Sequence, residues 1–221
     1  MSYMAEKVLI VGGGIAGLAS GIVLAQADAE VRILESAPAF TEVGAGVQLG
    51  PNVTSILKSW GLLSTIKKVA SHPANLQARS ARSGEVLATL PLADMTTRYG
   101  SPYITIHRAD LQILLLEKVH ALGVDVQCNS PVHQLPTDLH KTADALVIAD
   151  GVWSGLRQQL LGDGPPRMTG HLAYRTLVRQ SDLPEHLRTR DVSVWMGPKV
   201  HVVQYPVRGG EWLNVVCLTE G

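Results

Sequence analysis

Residues 7–36 read Lys-Val-Leu-Ile-Val-Gly-Gly-Gly-Ile-Ala-Gly-Leu-Ala-Ser-Gly-Ile-Val-Leu-Ala-Gln-Ala-Asp-Ala-Glu-Val-Arg-Ile-Leu-Glu-Ser, and this stretch decides the fold. The apolar run at its start predicts a strand buried on both faces. Gly12, Gly14 and Gly17 then have G-x-G-x-x-G spacing. In this spacing the first glycine permits a tight turn, the second lets the backbone approach a pyrophosphate, and the third lets a helix pack closely on the strand. The N-terminus of that helix, with its free N–H groups and positive dipole end, faces the phosphates.

A second strand is predicted at residues 31–34, and Glu35 stands at its end. A carboxylate about 20 residues beyond the glycines is placed to accept hydrogen bonds from a ribose hydroxyl. Its charge would repel a 2′-phosphate, so the predicted nucleotide is FAD or NAD rather than NADP. Two other interpretations are a glycine-rich turn in an unrelated α/β protein and a signal sequence. The interior glycines and the lack of a small-residue cleavage site argue against the signal sequence.

The overall composition narrows the function classes. The 221 residues carry 19 basic and 19 acidic side chains, and no block of like charge stands out. This balance argues against nucleic acid or an anionic membrane surface as the main partner. Cys128 and Cys217 lack C-x-x-C spacing and the histidines lack metal-ligand spacing, so we expect reduced thiols, a cytoplasmic protein and no metal site.

The rest of the chain predicts an α/β fold: a Rossmann-like domain with a mainly parallel sheet, plus an antiparallel β-sheet substrate domain. We assign residues 1–74 and 101–164 to the first domain, and residues 75–100 and 165–221 to the second. The further predicted elements are helices at 51–60, 62–69 and 108–119, a hairpin at 75–90, and strands at 103–107, 124–128 and 145–149. From Met168 onward the pattern is that of strands separated by turns.

Three further places carry candidate chemistry. Arg108 begins a helix, where a cation runs against the dipole and suits a bound anion such as a pyrophosphate, or is simply a solvated arginine. Asp150 follows a predicted buried strand and precedes a helix that Ser154 can cap, where doubly wound folds bind ligands. His201 and Tyr205 share one face of a predicted strand and can position and deprotonate a phenol. Alternatively, they are a hydrogen-bonded sheet histidine and a core tyrosine.

Five separate segments, in chain order, resemble the single-component FAD-dependent aromatic hydroxylases, in the salicylate and 3-hydroxybenzoate hydroxylase branch. These segments are Val-Gly-Gly-Gly-Ile-Ala-Gly-Leu (11–18), Gly-Ala-Gly-Val-Gln-Leu-Gly-Pro-Asn (44–52), Pro-Tyr-Ile-Thr-Ile-His-Arg-Ala-Asp-Leu (102–111), Ala-Asp-Gly-Val-Trp-Ser-Gly-Leu-Arg (149–157) and Trp-Met-Gly-Pro-Lys-Val-His-Val-Val-Gln-Tyr-Pro-Val (195–207).

The resemblance implies an enzyme that hydroxylates a phenolic aromatic acid. In the family NAD(P)H, a transient co-substrate, reduces the flavin, O₂ forms a C4a-hydroperoxide, and a hydroxyl group passes to the ring. Gln48 and Tyr103 fall at substrate-facing positions, and His201 and Tyr205 match the catalytic His-x-x-x-Tyr pair, with His201 helping to ionise the phenol. The residues implied to hold FAD are Gly12, Gly14, Ile15, Ala16, Gly17, Glu35, Val47, Arg108 and Asp150.

The sequence also departs from the family pattern. It stops at Gly221, before the Gly-Asp segment expected to touch the flavin. The hairpin expected between Cys128 and Ala145 is shortened, and the glycine that usually precedes Ala149 is missing. Two hypotheses follow: an FAD-dependent aromatic monooxygenase, or a non-catalytic dinucleotide-binding remnant or fragment that acts only with a partner chain. We expect no stable membrane association, and a homodimer stays open.

Overall fold

The computed structural model describes residues 6–41, 45–136 and 139–220. The chain divides into two compact units: a first unit of Met1–Thr41 with Gln112–Arg167, and a second unit of Glu42–Leu111 with Met168–Gly221. These bounds differ from the predicted domains, because residues 42–74 and 101–111 group with the strand-rich unit. Gly44, in one of the family-like segments, lies outside the described residues.

The secondary structure follows the predicted order closely. The strands are β1 (Lys7–Val11), β2 (Glu30–Leu34), β3 (Gly46–Leu49), β4 (Asn75–Ser80), β5 (Val86–Pro91), β6 (Ile104–His107), β7 (Asp125–Gln127), β8 (Ala145–Ile148), β9 (His171–Arg179), β10 (Val192–Gly197), β11 (Val200–Val207) and β12 (Trp212–Glu220). The helices are α1 (Ile15–Gln26), α2 (Pro51–Ser59), α3 (Leu63–Val69), α4 (Met95–Tyr99), α5 (Arg108–Ala121), α6 (Leu139–Thr142) and α7 (Gly155–Leu161).

The first unit is built on a parallel sheet with strand order β7-β2-β1-β8. Ile10 on β1 pairs with Ile33 on β2, and both side chains are fully buried. Burying an isoleucine of this kind stabilises the fold by about 1.5–3 kcal/mol. Helix α1 adds Leu18 and Ile22, which are also fully buried. The predicted Rossmann-like core is therefore confirmed.

The second unit contains a larger sheet, with strand order β5-β4-β10-β11-β12-β9. The predicted hairpin forms as β4 and β5 and joins this second sheet, as expected. Strand β4 pairs parallel to β10, whereas the other neighbours pair antiparallel. The hairpin comes from a distant part of the chain, so no tight turn dictates its direction. A core of Leu92, Val192, Tyr205 and Val207 lies in this unit.

Strands β3 and β6 form a separate antiparallel ribbon in the second unit. The Gly46 N–H donates to Asn214 Oδ1 at 2.8 Å, and Thr105 Oγ1 donates to the Pro206 carbonyl. Both bonds join the ribbon to β11 and β12, which explains why residues 42–74 and 101–111 group with this unit. Within the described ranges, no helix has both the length and the apolar character needed to cross a bilayer.

Candidate functional site

The turn between β1 and α1 depends on glycine at two positions. Gly12 has a φ of +105°, and a Cβ there would lie 2.3 Å from the Ala149 carbonyl oxygen. A Cβ at Gly17 would lie 1.8 Å from the Gly12 carbonyl oxygen. Gly14 differs, because nothing lies within 4 Å of the place where its Cβ would be. The backbone is therefore closely packed at Gly12 and Gly17, whereas free space remains beside Gly14 at the N-terminus of α1.

The N-terminus of α1 has the properties of an anion site. Gly14 is the N-cap, no side chain caps the helix, and its first turn contains no acidic residue. The first N–H groups and the positive end of the dipole are left for an external acceptor. Ile15 and Ala16, two of the predicted FAD contacts, begin this helix.

Glu35 is held at the end of β2 by the backbone. One carboxylate oxygen accepts from the Gly13 N–H at 2.6 Å, and the other accepts from the Ala37 N–H at 2.8 Å. Oε1 also accepts from the Ser36 hydroxyl at 3.1 Å, so the remaining acceptor capacity is on Oε2, since each carboxylate oxygen has about two lone-pair sites. The side chain is thus oriented beside the glycine turn, as a ribose-binding carboxylate requires.

A cavity of about 530 Å³ brings several predicted residues together in the first unit. Gly12, Gly14, Glu35 and Asp150 all line it. Asp150 Oδ1 is buried and has no hydrogen-bond partner among the described residues. A buried carboxylate oxygen is costly to leave unpaired, so its position indicates a donor supplied by a ligand or solvent. As predicted, Ser154 caps the following helix, accepting from the Arg157 N–H at 2.9 Å.

Two supporting residues of the glycine turn were missed by the sequence analysis. Gln112 is buried and its Nε2 donates to the Gly13 carbonyl at 3.2 Å. The ring of Phe40 lies against Gly13, where a Cβ would approach it to 2.7 Å. The one available signal was a glutamine on the apolar helix α5, and that signal does not reveal its partner.

The ribbon of the second unit carries four of the predicted site residues. Val47 and Gln48 lie on β3, and Val47 pairs with Ile106 on β6. Tyr103 directly precedes β6, and Arg108 begins α5, where its N–H donates to the Ala45 carbonyl at 2.8 Å. Antiparallel pairing therefore brings residues more than 50 positions apart in sequence onto one ribbon.

Tyr103, Gln48 and Tyr205 form a polar cluster. The Tyr103 hydroxyl donates to Gln48 Oε1. Burial raises the pKa of Tyr103 to about 12, and the neighbouring Tyr205 adds to the rise. Burial raises the pKa of Tyr205 as well, while the charge of Arg175 and the neighbouring Gln48 side chain lower it. Both phenols therefore keep their protons at neutral pH.

His201 is placed apart from this cluster. The unbroken pairing of β11 with β12 puts His201 and Tyr205 on the same face, as predicted. They are four residues apart, a separation of about 13 Å along a strand. His201 is exposed and lines a cavity of about 420 Å³ with Val194, Met196 and Leu218. The pair does not converge on one atom, and its catalytic role stays a prediction.

Comparison with known proteins gives a consistent family. The family described as "FAD binding domain" matches residues 5–201. The chain is 36% identical over 226 residues to 3-hydroxybenzoate 6-hydroxylase 1 of Aquipseudomonas alcaligenes, covering 96% of this chain and 57% of that protein. It is 37% identical over 223 residues to 3-hydroxybenzoate 6-hydroxylase of Polaromonas naphthalenivorans (strain CJ2), covering 95% and 55%. The chain thus spans about half the length of the curated relatives it matches.

A solved structure supports the fold. The crystal structure of Klebsiella pneumoniae HpxO complexed with FAD and uric acid superposes with a TM-score of 0.80 at 24% identity. The superposition covers 97% of this chain and 56% of that one. At this level of identity the likeness concerns the architecture alone.

Proposed function

The chain belongs to the FAD-binding-domain family, and we propose that it serves an FAD-dependent monooxygenase that hydroxylates a phenolic aromatic acid with NAD(P)H and O₂. The observation that carries this proposal is the cavity beside the glycine turn, where Asp150 keeps a buried carboxylate oxygen without a partner. The relatives named as 3-hydroxybenzoate 6-hydroxylases support a hydroxybenzoate as the substrate class.

The residues of the first unit fit the adenosine diphosphate half of FAD. The uncapped N-terminus of α1 would receive the pyrophosphate, and the open space at Gly14 leaves room for it. Glu35 would accept a hydrogen bond from a ribose hydroxyl, and Asp150 would accept a hydrogen bond from a donor group of the bound nucleotide. Val47 and Arg108 remain proposed contacts. When bound, the flavin supplies the oxygen chemistry, and the protein supplies binding and orientation.

The second unit supplies the groups proposed for the aromatic acid. Gln48, Tyr103 and Tyr205 provide donors and acceptors beside aromatic and apolar surface, a combination suited to a small polar ring. His201, exposed on the same face of β11, is the proposed base that helps to ionise the phenol. We also propose that the protein acts in the cytoplasm, where NAD(P)H is available. Light scattering of the purified protein will distinguish a monomer from a dimer.

The test of FAD binding is the absorbance spectrum of the purified protein from about 300 to 550 nm, followed by titration of the apoprotein with FAD. We expect flavin bands that survive gel filtration, and a weaker FAD affinity in Asp150→Ala than in the control Asp182→Ala, which lies in the second unit. A colourless protein that does not bind added FAD in the titration would refute cofactor binding.

The test of the reaction is hydroxybenzoate-stimulated NADH oxidation with detection of the dihydroxylated product. We expect His201→Ala to lose product formation by about 10²–10⁴-fold, the usual contribution of a general base, while FAD affinity stays unchanged. Product formation that is unaffected by this substitution would remove His201 from the proposal. NADH oxidation that yields only peroxide would contradict hydroxylation.

A further inference from the structure

A second cavity of the second unit, of about 730 Å³, lies apart from the proposed cofactor and substrate residues. Its walls come from residues 70–72, which follow α3, from the segment 180–190, and from the end of β11 and the turn after it. Strand β11 contributes Pro206, which lies five residues, or about 16 Å, beyond His201. A cavity of this size accommodates a small organic molecule.

A buried hydroxyl in the wall of this cavity lacks a partner. Ser71 is 4% exposed, and its backbone is already paired with Thr105 through bonds of 2.7 and 3.0 Å. The Ser71 Oγ atom is buried and makes no hydrogen bond to any described residue. Buried polar groups in folded proteins are nearly always hydrogen-bonded, so this hydroxyl indicates a partner that enters the cavity.

The charged side chains of the cavity wall leave one net positive charge. Arg188 and Arg190 are opposed by a single acid, Glu185, when His72 is counted as neutral. In the part of the chain that the structure describes, Arg190 makes no hydrogen bond or ion pair. A carboxylate carries one negative charge and matches this balance, whereas a phosphate monoester carries about −1.5 to −2 at neutral pH and exceeds it.

Hydrogen bonds hold the arginine-bearing segment in place without a ligand. Gln180 is buried, and its Nε2 donates to the Thr189 carbonyl at 3.0 Å and to the Gly210 carbonyl at 2.7 Å. Its Oε1 accepts from the Thr189 N–H at 2.8 Å. Arg188 donates from Nε and Nη2 to two carbonyls of the same segment, which leaves Nη1 available. A site ordered in advance loses less entropy when a ligand binds.

We propose that this cavity binds a small organic acid through its carboxylate. The two arginines supply the positive charge for the carboxylate, and the Ser71 hydroxyl supplies a further polar contact to the acid. Ala70 and Pro206 supply apolar surface for the body of the molecule. The site uses none of the residues assigned to FAD or to hydroxylation, so it stands or falls independently of the proposed function.

The first test follows the backbone amide signals of the isotope-labelled full chain by NMR, in separate titrations with benzoate, phenyl phosphate and benzyl alcohol. Gly209 and Gly210 line the cavity and report on it, whereas the Gln48 amide reports on the proposed substrate site. We expect benzoate to shift the two glycine signals with millimolar or tighter affinity. Tighter binding of phenyl phosphate, or equal shifts with uncharged benzyl alcohol, would overturn the assignment to a carboxylate. Glycine signals that respond to none of the three ligands would overturn the site itself.

The second test removes one positive charge from the cavity wall. Arg190→Gln should weaken benzoate binding, measured at the glycine signals, by about tenfold, as for one lost bond to a charged group. The control is Arg82→Gln, which removes the same charge from the exposed turn between β4 and β5 and should leave the affinity unchanged. Equal losses in the two variants would overturn the inference, because the net charge of the protein would then account for binding.

The third test concerns the unpaired hydroxyl. Ser71→Ala keeps the backbone bonds to Thr105, so its urea midpoint should be no lower than that of the wild type. Its affinity for benzoate should fall by about fivefold, as for one lost hydrogen bond. A lower midpoint would mean that the hydroxyl already has a partner in the free protein. That result, or an unchanged affinity, would overturn the assignment of Ser71 to the site.

Discussion

Arg208 donates two parallel hydrogen bonds to Asp110, from Nε to Oδ2 at 3.0 Å and from Nη2 to Oδ1 at 2.9 Å. Arg208 directly follows β11, and Asp110 lies in the first turn of α5, where the helix dipole also favours a carboxylate. Arg208 has a φ of +52°, a conformation that costs about 1 kcal/mol or more in a residue with a side chain. The bidentate pair offsets this strain and fixes the start of the helix that carries Arg108.

The first prediction concerns Asp110→Asn, which keeps the side-chain size and removes the charge. We expect the free energy of unfolding to fall by about 1 kcal/mol, since the Arg208 guanidinium is partly exposed and solvent weakens such pairs. Urea unfolding measures the loss, which should shrink at high salt. The control is Glu220→Gln, which breaks the more exposed pair with Lys199 and should change stability very little. Equal losses of unfolding free energy in the two variants would contradict a special role for the bidentate Arg208–Asp110 pair.

The second prediction separates the folding role of one glycine from the binding role of another. A Cβ at Gly17 meets the backbone of Gly12 at 1.8 Å, so Gly17→Ala must displace α1 from β1 and destabilise the first unit by several kcal/mol. A Cβ at Gly14 meets nothing and its φ is −66°, so Gly14→Ala should fold with nearly the wild-type midpoint in urea. Its added methyl group occupies the space proposed for the pyrophosphate, and FAD affinity should drop by at least tenfold.

The comparison with the wild type decides the role of Gly14. If Gly14→Ala binds FAD as tightly as the wild type does, the pyrophosphate does not sit at the N-terminus of α1.

The third prediction tests the cap of α7. Ser154 Oγ accepts from the Arg157 N–H, and the side chain is buried, so water does not replace the bond in Ser154→Ala. We expect a loss of about 1 kcal/mol in the free energy of unfolding. Ser59→Ala at the exposed end of α2 removes only a hydroxyl that donates to a carbonyl three residues earlier, and serves as the control. A comparable loss of unfolding free energy in Ser59→Ala would show that the Ser154 cap contributes no more than an exposed serine hydroxyl does.

The sequence predicts features whose determinants are close together in the chain. The turn at Gly12–Gly17, the strand before it and Glu35 lie within one βαβ segment, where local steric rules and spacing fix the backbone. The Ser154 cap was predicted for the same reason, since the cap and its partner are three residues apart. Turn chemistry and hydrophobic periodicity therefore suffice to predict which segments form strands and helices, and that one sheet is parallel and the other mainly antiparallel.

Long-range side-chain contacts could not be predicted in this way. Gln112 meets Gly13 across 99 residues of sequence, and Asn214 meets Gly46 across 168. Their partners are backbone groups, which carry no sequence signal. The compact units divide the chain at other positions than the predicted domains for the same reason: β3 pairs with β6 and Asn214 bonds Gly46, so residues 42–74 and 101–111 group with the second unit.

The fourth prediction follows from the raised pKa of Tyr103. The unfolded chain releases this proton near pH 10, and the folded protein releases it near pH 12. Between these values the unfolded state binds fewer protons, so raising the pH lowers the free energy of unfolding. The contribution is fully present below pH 10 and is lost as the pH rises through 12. Tyr103→Phe should therefore show a shallower alkaline loss of stability, measured from urea midpoints at pH 9 and pH 11.

The control for this pH dependence is Tyr99→Phe. Tyr99 is 53% exposed, so its removal should leave the difference between the pH 9 and pH 11 midpoints at the wild-type value. Tyr103→Phe should also lower stability at pH 9, because Gln48 Oε1 loses its donor. The lost hydrogen bond lowers the stability of Tyr103→Phe at pH 9, whereas the lost ionisation makes its further decrease up to pH 11 smaller, so measurements at the two pH values separate the two effects. A slope in Tyr103→Phe as steep as in the wild type would mean that Tyr103 ionises as readily in the folded protein as in the unfolded chain.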